Sequence, residues 1–514
     1  MEIGILYSLL LFFFFFLLFL SLINPSSSFK KSNKTLPPGP WKLPFLGNLH
    51  QLAGSPPLHC LRDLANKFGP LMHLQLGQTC FIIVTSPEIA KQVLKTHDHI
   101  FANRPNLLAA QIIGYNNTDI AFAPYGHYWR QLRKICTLEL LSVKRVQSFS
   151  SIREEEISEL VKFMTEHEGS AINLREKSFA LTNSIVARAA FGRSKNVEAV
   201  LSILQRTVGL ASGFKIADLF PSLKILPVIT GMKAKIEKLH RDCDRILQDV
   251  ITDHEEKKNI IRNKNDDDDD PDVVNHQEED LVDVLLKIQK DNDLEIQLSY
   301  DNIKAVILDM FSAGTRTSAQ TIEWIMSELL KNPEIMKEAQ GEVRRVYENK
   351  GYVDESELHK LKYIDAVIKE TLRLHPPLPL LIPRESSKRC EINGYEIPQK
   401  TRVIINAWAL GRDPKYWNEA DKFQPQRFIN NTSIEYSFRG TEFEYIPFGS
   451  GRRICPGISF GYAVIELVIA KLLYHFDWKL PNGMKPEEFD MDESVSADGA
   501  RKNALCLVPM VNHP

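Results

Sequence analysis

The 514-residue chain has no excess of either charge: 63 lysines and arginines stand against 65 aspartates and glutamates, a formal net charge of -2. No broad basic surface is available to neutralise phosphates, which excludes nucleic acid as a partner. The seven cysteines lie far apart, at 60, 80, 136, 243, 390, 455 and 506, with no Cys-x-x-Cys pair. That scatter excludes a disulfide framework and a zinc knuckle and fits a reducing compartment. None of the fourteen histidines stands in an HExxH pattern, and His97 and His99 are only two apart. They would not share a helical face, so zinc-hydrolase chemistry is excluded as well. Asp266 to Asp270 run together without the alternate ligand positions or turn glycine of a calcium loop. Carboxylates in a row repel one another, so this run reads as solvated chain. No internal repeat is visible.

What the sequence does have begins at the N-terminus. Ile3 to Ile23 is an uncharged run that includes Phe12 to Phe16. As a helix rising about 1.5 Å per residue it would span roughly 30 Å, the hydrocarbon thickness of a bilayer. A cleaved secretory signal would be shorter and would carry its basic residues in front. Here Glu2 precedes the run, and Lys30, Lys31 and Lys34 follow it. The expectation is therefore a single-pass anchor over residues 1–24, with the body on the cytosolic side. Sequons at Asn33, Asn116, Asn430 and Asn431 would then stay unmodified. A basic and Pro-rich hinge over 25–40, ending in Leu36-Pro37-Pro38-Gly39-Pro40, would stiffen the link to the body at 41–514.

Within the body, LMHLQL and CFIIVT flank Gly77-Gln78 between Leu71 and Thr85 and read as a hairpin. Ser86-Pro87 has the N-cap and N1 pattern of a helix start. Most of 125–350 has helical period, broken over 255–280, which is read as an acidic flexible loop. A long helix is expected from Ser299 to Asn332, stopped by Pro333; Asp309, Arg316 and Glu323 make it too polar for a second membrane span. TRVIINAWAL at 401–410 reads as strand. The expected fold class is mainly α (α+β), with one small sheet near each end of the chain.

The segment with the clearest chemistry is Pro447-Phe448-Gly449-Ser450-Gly451-Arg452-Arg453-Ile454-Cys455-Pro456-Gly457. Glycines at 449, 451 and 457 permit tight turns and close approach of a flat ligand. Cys455 stands before Pro456 at the start of an apolar-periodic helix, where the dipole favours a thiolate. Such a thiolate can be an axial iron ligand that favours O–O cleavage. A lone cysteine in a Gly-rich loop is otherwise most often inert and buried.

The pattern Phe448-x-x-Gly451-x-Arg453-x-Cys455-x-Gly457 resembles the haem-binding loop of the cytochrome P-450 family. Three further matches follow the family's chain order. Glu370-Thr371-Leu372-Arg373 resembles its ExxR motif, with both charges on one helix face. Arg427 in Pro425-Gln426-Arg427-Phe428 resembles the arginine that completes a structural triad with Glu370 and Arg373, although Gln426 replaces the motif's usual acid. Trp129-x-x-x-Arg133 resembles the helical motif that reaches a haem propionate, with Arg384 and Arg453 as further propionate partners. The wording of PFGSGRRICPG and HPPLPLLIPRE is similar to the plant A-type microsomal enzymes of clan seventy-one.

The resemblance implies a P-450 fold with one haem b, iron bound by Cys455, and Phe448, Gly449 and Gly457 around the cofactor. It implies electrons from NADPH through NADPH–cytochrome P-450 reductase, O2 as co-substrate, and an endoplasmic reticulum membrane location. Lys134, Lys144 and Arg145 would supply part of a basic docking face for that reductase. Ala313-Gly314-Thr315-Arg316-Thr317 resembles the oxygen-activating kink, where an acid and a threonine relay protons. Thr317 is in place, but the acid's position holds Arg316, which keeps its charge and cannot shuttle protons as a carboxylate does. Either Arg316 points away and water reaches Thr317, so ordinary monooxygenation survives, or proton delivery changes and the outcome becomes desaturation, ring closure or isomerisation. The implied pocket walls come from Phe101–Phe122, the Ala305–Ala313 face with Asp309, Leu378–Ile382, and the turn near Val495–Ala497. Leu380, Leu381, Ile382, Asp309 and Val495 are the expected substrate contacts. These walls are mostly apolar and favour a small hydrophobic plant metabolite, a terpenoid or alkaloid ahead of a phenolic. A haem protein without turnover would need neither Thr317 nor such walls.

Overall fold

The computed structural model describes residues 7–8, 10–16, 35–192, 215–265, 279–291, 295–429 and 438–512. Its longer helices, in chain order, are α1 (Pro57–Phe68), α2 (His127–Ile135), α3 (Ser150–Glu166), α4 (Leu174–Phe191) and α5 (Met232–Asn265). They continue with α6 (Leu281–Asp291), α7 (Tyr300–Lys331), α8 (Pro333–Tyr347), α9 (Lys362–Leu374) and α10 (Ile458–His475). The strands are β1 (Leu71–Leu76), β2 (Thr79–Val84), β3 (Ile172–Asn173), β4 (Arg384–Glu385), β5 (Cys390–Ile392), β6 (Tyr395–Ile397), β7 (Arg402–Ile405), β8 (Phe476–Lys479) and β9 (Cys506–Val511).

The longest element of the core starts and stops where its sequence says it should. The Ser299 side chain accepts from the Asn302 N–H while the Asn302 side chain accepts from the Ser299 N–H, a reciprocal cap for α7. Pro333, with no N–H to offer, opens α8 one residue after Asn332. From Ala319 to Leu330 every α7 residue is buried, because α4, α9 and α10 surround it. Among the described residues α10 alone is long and apolar enough to cross a membrane, and most of it is buried inside the body, as a core helix should be. The expected anchor lies largely outside the described residues; its described part, 7–8 and 10–16, is helical, with Phe12 to Phe16 exposed.

The hairpin forms as expected, with β1 and β2 antiparallel from Leu71 opposite Val84 to Leu76 opposite Thr79. The Ser86 side chain accepts from the Ile89 N–H and Pro87 takes the first helical position. The sheets do not segregate to the two ends of the chain. One has the order β1-β2-β7-β4, with β2 and β7 parallel, and so joins residues 71–84 to 384–405. The second, β3-β9-β8, joins 172–173 to the last strand, and β5-β6 is a separate hairpin. The strand read through 410 ends at Ile405. Asn406 accepts from the Ala409 N–H and turns Ala407–Leu410 into a helical cap that periodicity does not disclose. The segment read as loop from 255 is helical as far as Asn265, since a polar helix against water has little apolar period to betray it.

Candidate active site

The loop before α10 is built from short backbone bonds. The Cys455 N–H donates to the Phe448 carbonyl at 3.0 Å, the Ile454 N–H to Gly451 at 3.0 Å, and the Gly449 N–H to Ile446 at 3.0 Å. Gly451 has φ +70, and a Cβ there would fall 2.2 Å from the Leu94 carbonyl oxygen, so only glycine fits. This brings Cys455, Phe448, Gly449 and Gly457 to the wall of one cavity. Burial pushes the Cys455 thiol above its ordinary value, while the Gly457 N–H and the Arg133 charge pull it down. The helix terminus alone therefore does not secure a thiolate here; a metal cation at the sulfur would.

Trp129, Arg133, Arg384 and Arg453 line the same cavity. Arg384 donates to Asp98 Oδ1 at 2.8 Å and to the Ser450 carbonyl at 2.6 Å. Arg453 donates to the carbonyls of Ala102, Ile120 and Ala123 and stacks over Trp129 at 4.1 Å. The Trp129 Nε1–H is also spent on the Ile120 carbonyl, at 2.9 Å. Burial first, and then the charge of Arg384, bring the Arg453 guanidinium down to about 9. Arg104, next to both, is likewise held far below the usual arginine value by burial and then by Arg453. This side of the cavity carries more positive charge than Asp98 and Asp119 balance, so it suits a ligand that presents carboxylates. Sulfur on one wall, paired cations on another and an apolar remainder fit a thiolate-bound haem b with its propionates turned to the arginines.

α7 contributes Asp309, Met310, Ala313, Gly314 and Thr317 to the cavity. The Thr317 hydroxyl donates to the Ala313 carbonyl at 2.6 Å, the back-bonding that loosens a helix at such a point. Arg316 is absent from the cavity wall and forms an ion pair with Asp498. Asp309 does face the cavity, but its Oδ2 accepts from the N–H groups of Ile120 at 2.8 Å and Ala121 at 2.9 Å. It holds the loop in front of α2.

Among the other expected substrate contacts, Leu381 and Ile382 line the cavity. Leu380 does not: it is buried in a separate cluster with Leu58, Leu219 and Trp408. Leu381 has φ +51, and the two neighbouring side chains turn to opposite sides. Val495 is 74 % exposed and lies outside the cavity, because its turn bulges into solvent. Of the proposed docking cations, Lys134 and Lys144 are exposed, whereas Arg145 is bound to the Glu139 and Glu279 carbonyls. Among the wall residues, Val186 falls outside the expected ranges, and Arg104, inside the expected Phe101–Phe122 wall, takes a role that the range does not announce. Val186 of α4 packs against α7, and Arg104 donates to Ala121 at 2.9 Å and to Ile382 and Pro383 at 2.6 and 2.9 Å, clamping two walls together. Their partners lie far along the chain, and no local pattern marks them.

Glu370, Arg373 and Arg427 do meet. Arg373 forks onto Glu370 at 2.7 and 2.8 Å, and Arg427 Nε donates to Glu370 Oε1 at 2.9 Å. Gln426, at the place of the motif's acid, donates to the Tyr363 hydroxyl at 3.2 Å instead.

The comparisons with known proteins agree with this geometry. The family model described as Cytochrome P450 matches residues 37–506. The chain is 53% identical to cytochrome P450 71D10 of Glycine max, over 96% of this chain and 95% of that protein. It is 52% identical to premnaspirodiene oxygenase of Hyoscyamus muticus, over 96% and 97% of the two chains. It is also 53% identical to desmethyl-deoxy-podophyllotoxin synthase of Sinopodophyllum hexandrum, over 95% and 94%. A zebra fish cytochrome P450 solved with abiraterone superimposes with a TM-score of 0.74 at 21% identity, covering 90% of this chain and all of that one. Fold, sulfur loop and relatives agree: the chain belongs to the cytochrome P450 family, haem-thiolate monooxygenases whose cofactor is haem b.

Proposed function

We propose that this chain oxidises a small apolar specialised metabolite, a terpenoid before an alkaloid or a phenolic, with Cys455 Sγ as the group that would hold the iron of haem b. The single observation that carries the reading is the convergence of the Cys455 sulfur, the buried arginine cluster and the Thr317 face of α7 on one cavity. Bound there, the haem supplies the dioxygen chemistry of monooxygenation.

The chain's own residues do the rest. Gly457 N–H and Arg133 stabilise negative charge on Cys455. Arg133 would meet the cofactor's carboxylates by a charge-assisted bond. Arg384 and Arg453, held by Asp98 and by backbone carbonyls, would add positive charge behind it, and Trp129 would fix the wall through its bond to Ile120. Ile120, Val186, Met310, Leu378, Leu381 and Ile382 exclude water and present apolar surface to the substrate. The polar wall residues Asp309 and Arg104 are engaged with backbone, Asp309 through Oδ2 and Arg104 through Nε and one terminal nitrogen, which supports a structural role for both over recognition of a substrate charge. Thr317 Oγ holds the proton on the cavity side of α7 and can pass it to a water once it leaves the Ala313 carbonyl. The turn of Arg316 toward Asp498 supports ordinary oxygen insertion over a rerouted outcome. The name premnaspirodiene oxygenase, borne by a relative 52% identical, supports an olefinic terpenoid skeleton as substrate. Electrons would come from NADPH through a reductase at an endoplasmic reticulum membrane.

The test is co-expression with NADPH–cytochrome P-450 reductase in yeast microsomes, feeding premnaspirodiene among a terpenoid and alkaloid panel. The expected result is a product one oxygen atom heavier that requires NADPH, with a ferrous–CO spectrum of the thiolate type. Cys455→Ser abolishes both; a serine variant that kept them would overturn the assignment.

A further inference from the structure

Arg316 sits where the resemblance calls for an acid, and its partner comes from 182 residues along the chain. Its guanidinium pairs with Asp498 Oδ2. Four residues on, Gln320 Nε2 donates to the Asp498 carbonyl at 2.8 Å, and four further on, Trp324 Nε1 donates to the Gly499 carbonyl at 3.0 Å. Three side chains at i, i+4 and i+8 therefore form one stripe of α7 that grips a single turn. The other Asp498 oxygen accepts from the Ser496 hydroxyl, and the Ser494 N–H closes the turn on the Ala500 carbonyl at 2.7 Å. Gly499 has φ +60, and a Cβ there would lie 3.3 Å from both the Pro376 carbonyl oxygen and Pro379 Cγ. The turn thus rests directly on the Pro376–Pro379 segment, whose Pro377 and Leu378, with Leu381 just beyond, wall the cavity.

We infer that Arg316 is a positioning residue for selectivity: through Asp498 it seats the turn Ser494–Ala500 on Pro376–Pro379 and so fixes the cavity wall at Leu378 and Leu381. The inference rests on reading that cavity as the haem and substrate chamber. A carboxylate at 316 would face Asp498 with like charge and lift the turn, so in this chain the arginine and the aspartate belong together. The pair is partly exposed, with side-chain accessibilities of 39% and 26%. Its effect is therefore expected on the shape of the wall and not on whether the chain folds.

The test uses the full-length haem protein in lipid nanodiscs and two readouts. One is amide hydrogen exchange over 494–500. The other is the ratio of affinities for clotrimazole, a bulky azole, and imidazole, a small one, each read from the Soret shift. Arg316→Glu should speed exchange over 494–500 and change the azole ratio, each by about threefold to fivefold. The charge swap Arg316→Asp with Asp498→Arg should bring both back to within about twofold of wild type. Arg316→Gln, which removes charge without adding repulsion, moves both readouts the same way and covers an Arg316→Glu protein that does not fold. Unchanged exchange and ratio in the single variants, or a swap that restores neither, overturn the inference. A wild-type chain that shows no Soret shift with imidazole would instead overturn the haem-chamber reading, and exchange over 494–500 would still judge the brace.

Discussion

Arg373 lies across Glu370 in a two-bond fork, at 2.7 and 2.8 Å, and neither side chain has any surface in contact with solvent. The remaining guanidinium hydrogens go to the carbonyls of Gly411, Ala420 and Lys422, and Glu370 Oε1 also accepts from Arg427 and from the Gln424 N–H. Each charge is compensated only while all partners stay, so the triad fastens α9 to the irregular chain of 411–427. Arg373→Ala would strand a buried carboxylate, a loss of about 3–5 kcal/mol. Thermal melting and the yield of CO-binding pigment should both fall, and Arg373→Lys should fail almost as badly, since an ammonium cannot make the fork. Normal pigment yield in Arg373→Ala would contradict the structural role.

Features that depend on neighbours in sequence are legible in the chain: the Cys455 loop, the Glu370–Arg373 spacing, the caps of α7 and the β1–β2 hairpin. Features that depend on how distant segments meet are not. Leu380 and Leu381 are adjacent and equally apolar, yet one enters the cluster around Trp408 and the other the cavity, a choice made by the positive φ of Leu381. Asp498 belongs to a turn with no motif, and only the fold brings it to Arg316. The parallel pairing of β2 with β7 joins residues more than three hundred apart, which no periodicity announces.

Gly451 tests the sulfur loop without touching the sulfur. A methyl group there would press into the Leu94 carbonyl oxygen at 2.2 Å, in a backbone conformation of φ +70 that costs a side chain about 1–2 kcal/mol by itself. Leu94 is in the buried core and cannot retreat freely. Gly451→Ala should therefore lower haem content and shift the ferrous–CO band toward the inactive form, while far-UV circular dichroism stays close to wild type. Full haem content in that variant would show that the loop is looser than its hydrogen bonds suggest.

His254 supplies a pH-dependent fastening between α5 and α6. Its Nε2 meets Asp280 Oδ2 at 2.9 Å, its Nδ1 faces the Val250 carbonyl at 2.7 Å, and Asp280 Oδ1 caps α6 by accepting from the Asp283 N–H at 2.9 Å. Burial opposes the imidazolium, but the Asp280 hydrogen bond and the charges of Asp280 and Asp283 outweigh it and hold His254 above its ordinary value of 6.5. The folded state then binds the proton more tightly than the unfolded chain. This stabilisation is complete below the ordinary histidine value and is lost as the pH rises through the raised one. His254→Gln should melt below wild type at about pH 6 and approach it by about pH 9. A melting difference that does not change with pH would mean that the pair is not charged.

Asp309 separates a loop latch from a substrate contact. Its Oδ2 accepts from two N–H groups, Ile120 at 2.8 Å and Ala121 at 2.9 Å, in the loop whose Ile120 carbonyl also takes Trp129 and Arg453. Leucine at 309 would leave both N–H groups buried and unpaired, at about 1–3 kcal/mol each. Asparagine would keep an acceptor toward them and place its NH2 on the side of the second oxygen. It would also end the repulsion with Asp119; burial holds both acids above the ordinary carboxylate range, with the Asp309 charge adding to the rise at Asp119. Because a raised carboxyl loses stability as pH rises, the advantage of Asp309→Asn over wild type should grow from acid toward neutral pH. In melting experiments Asp309→Leu should fall well below wild type while Asp309→Asn equals or exceeds it, and in turnover assays Asp309→Asn should leave KM for an apolar substrate within about twofold. If the carboxylate instead bound substrate, Asp309→Asn would raise KM as strongly as Asp309→Leu while its melting temperature stayed high, and the latch would have to be given up.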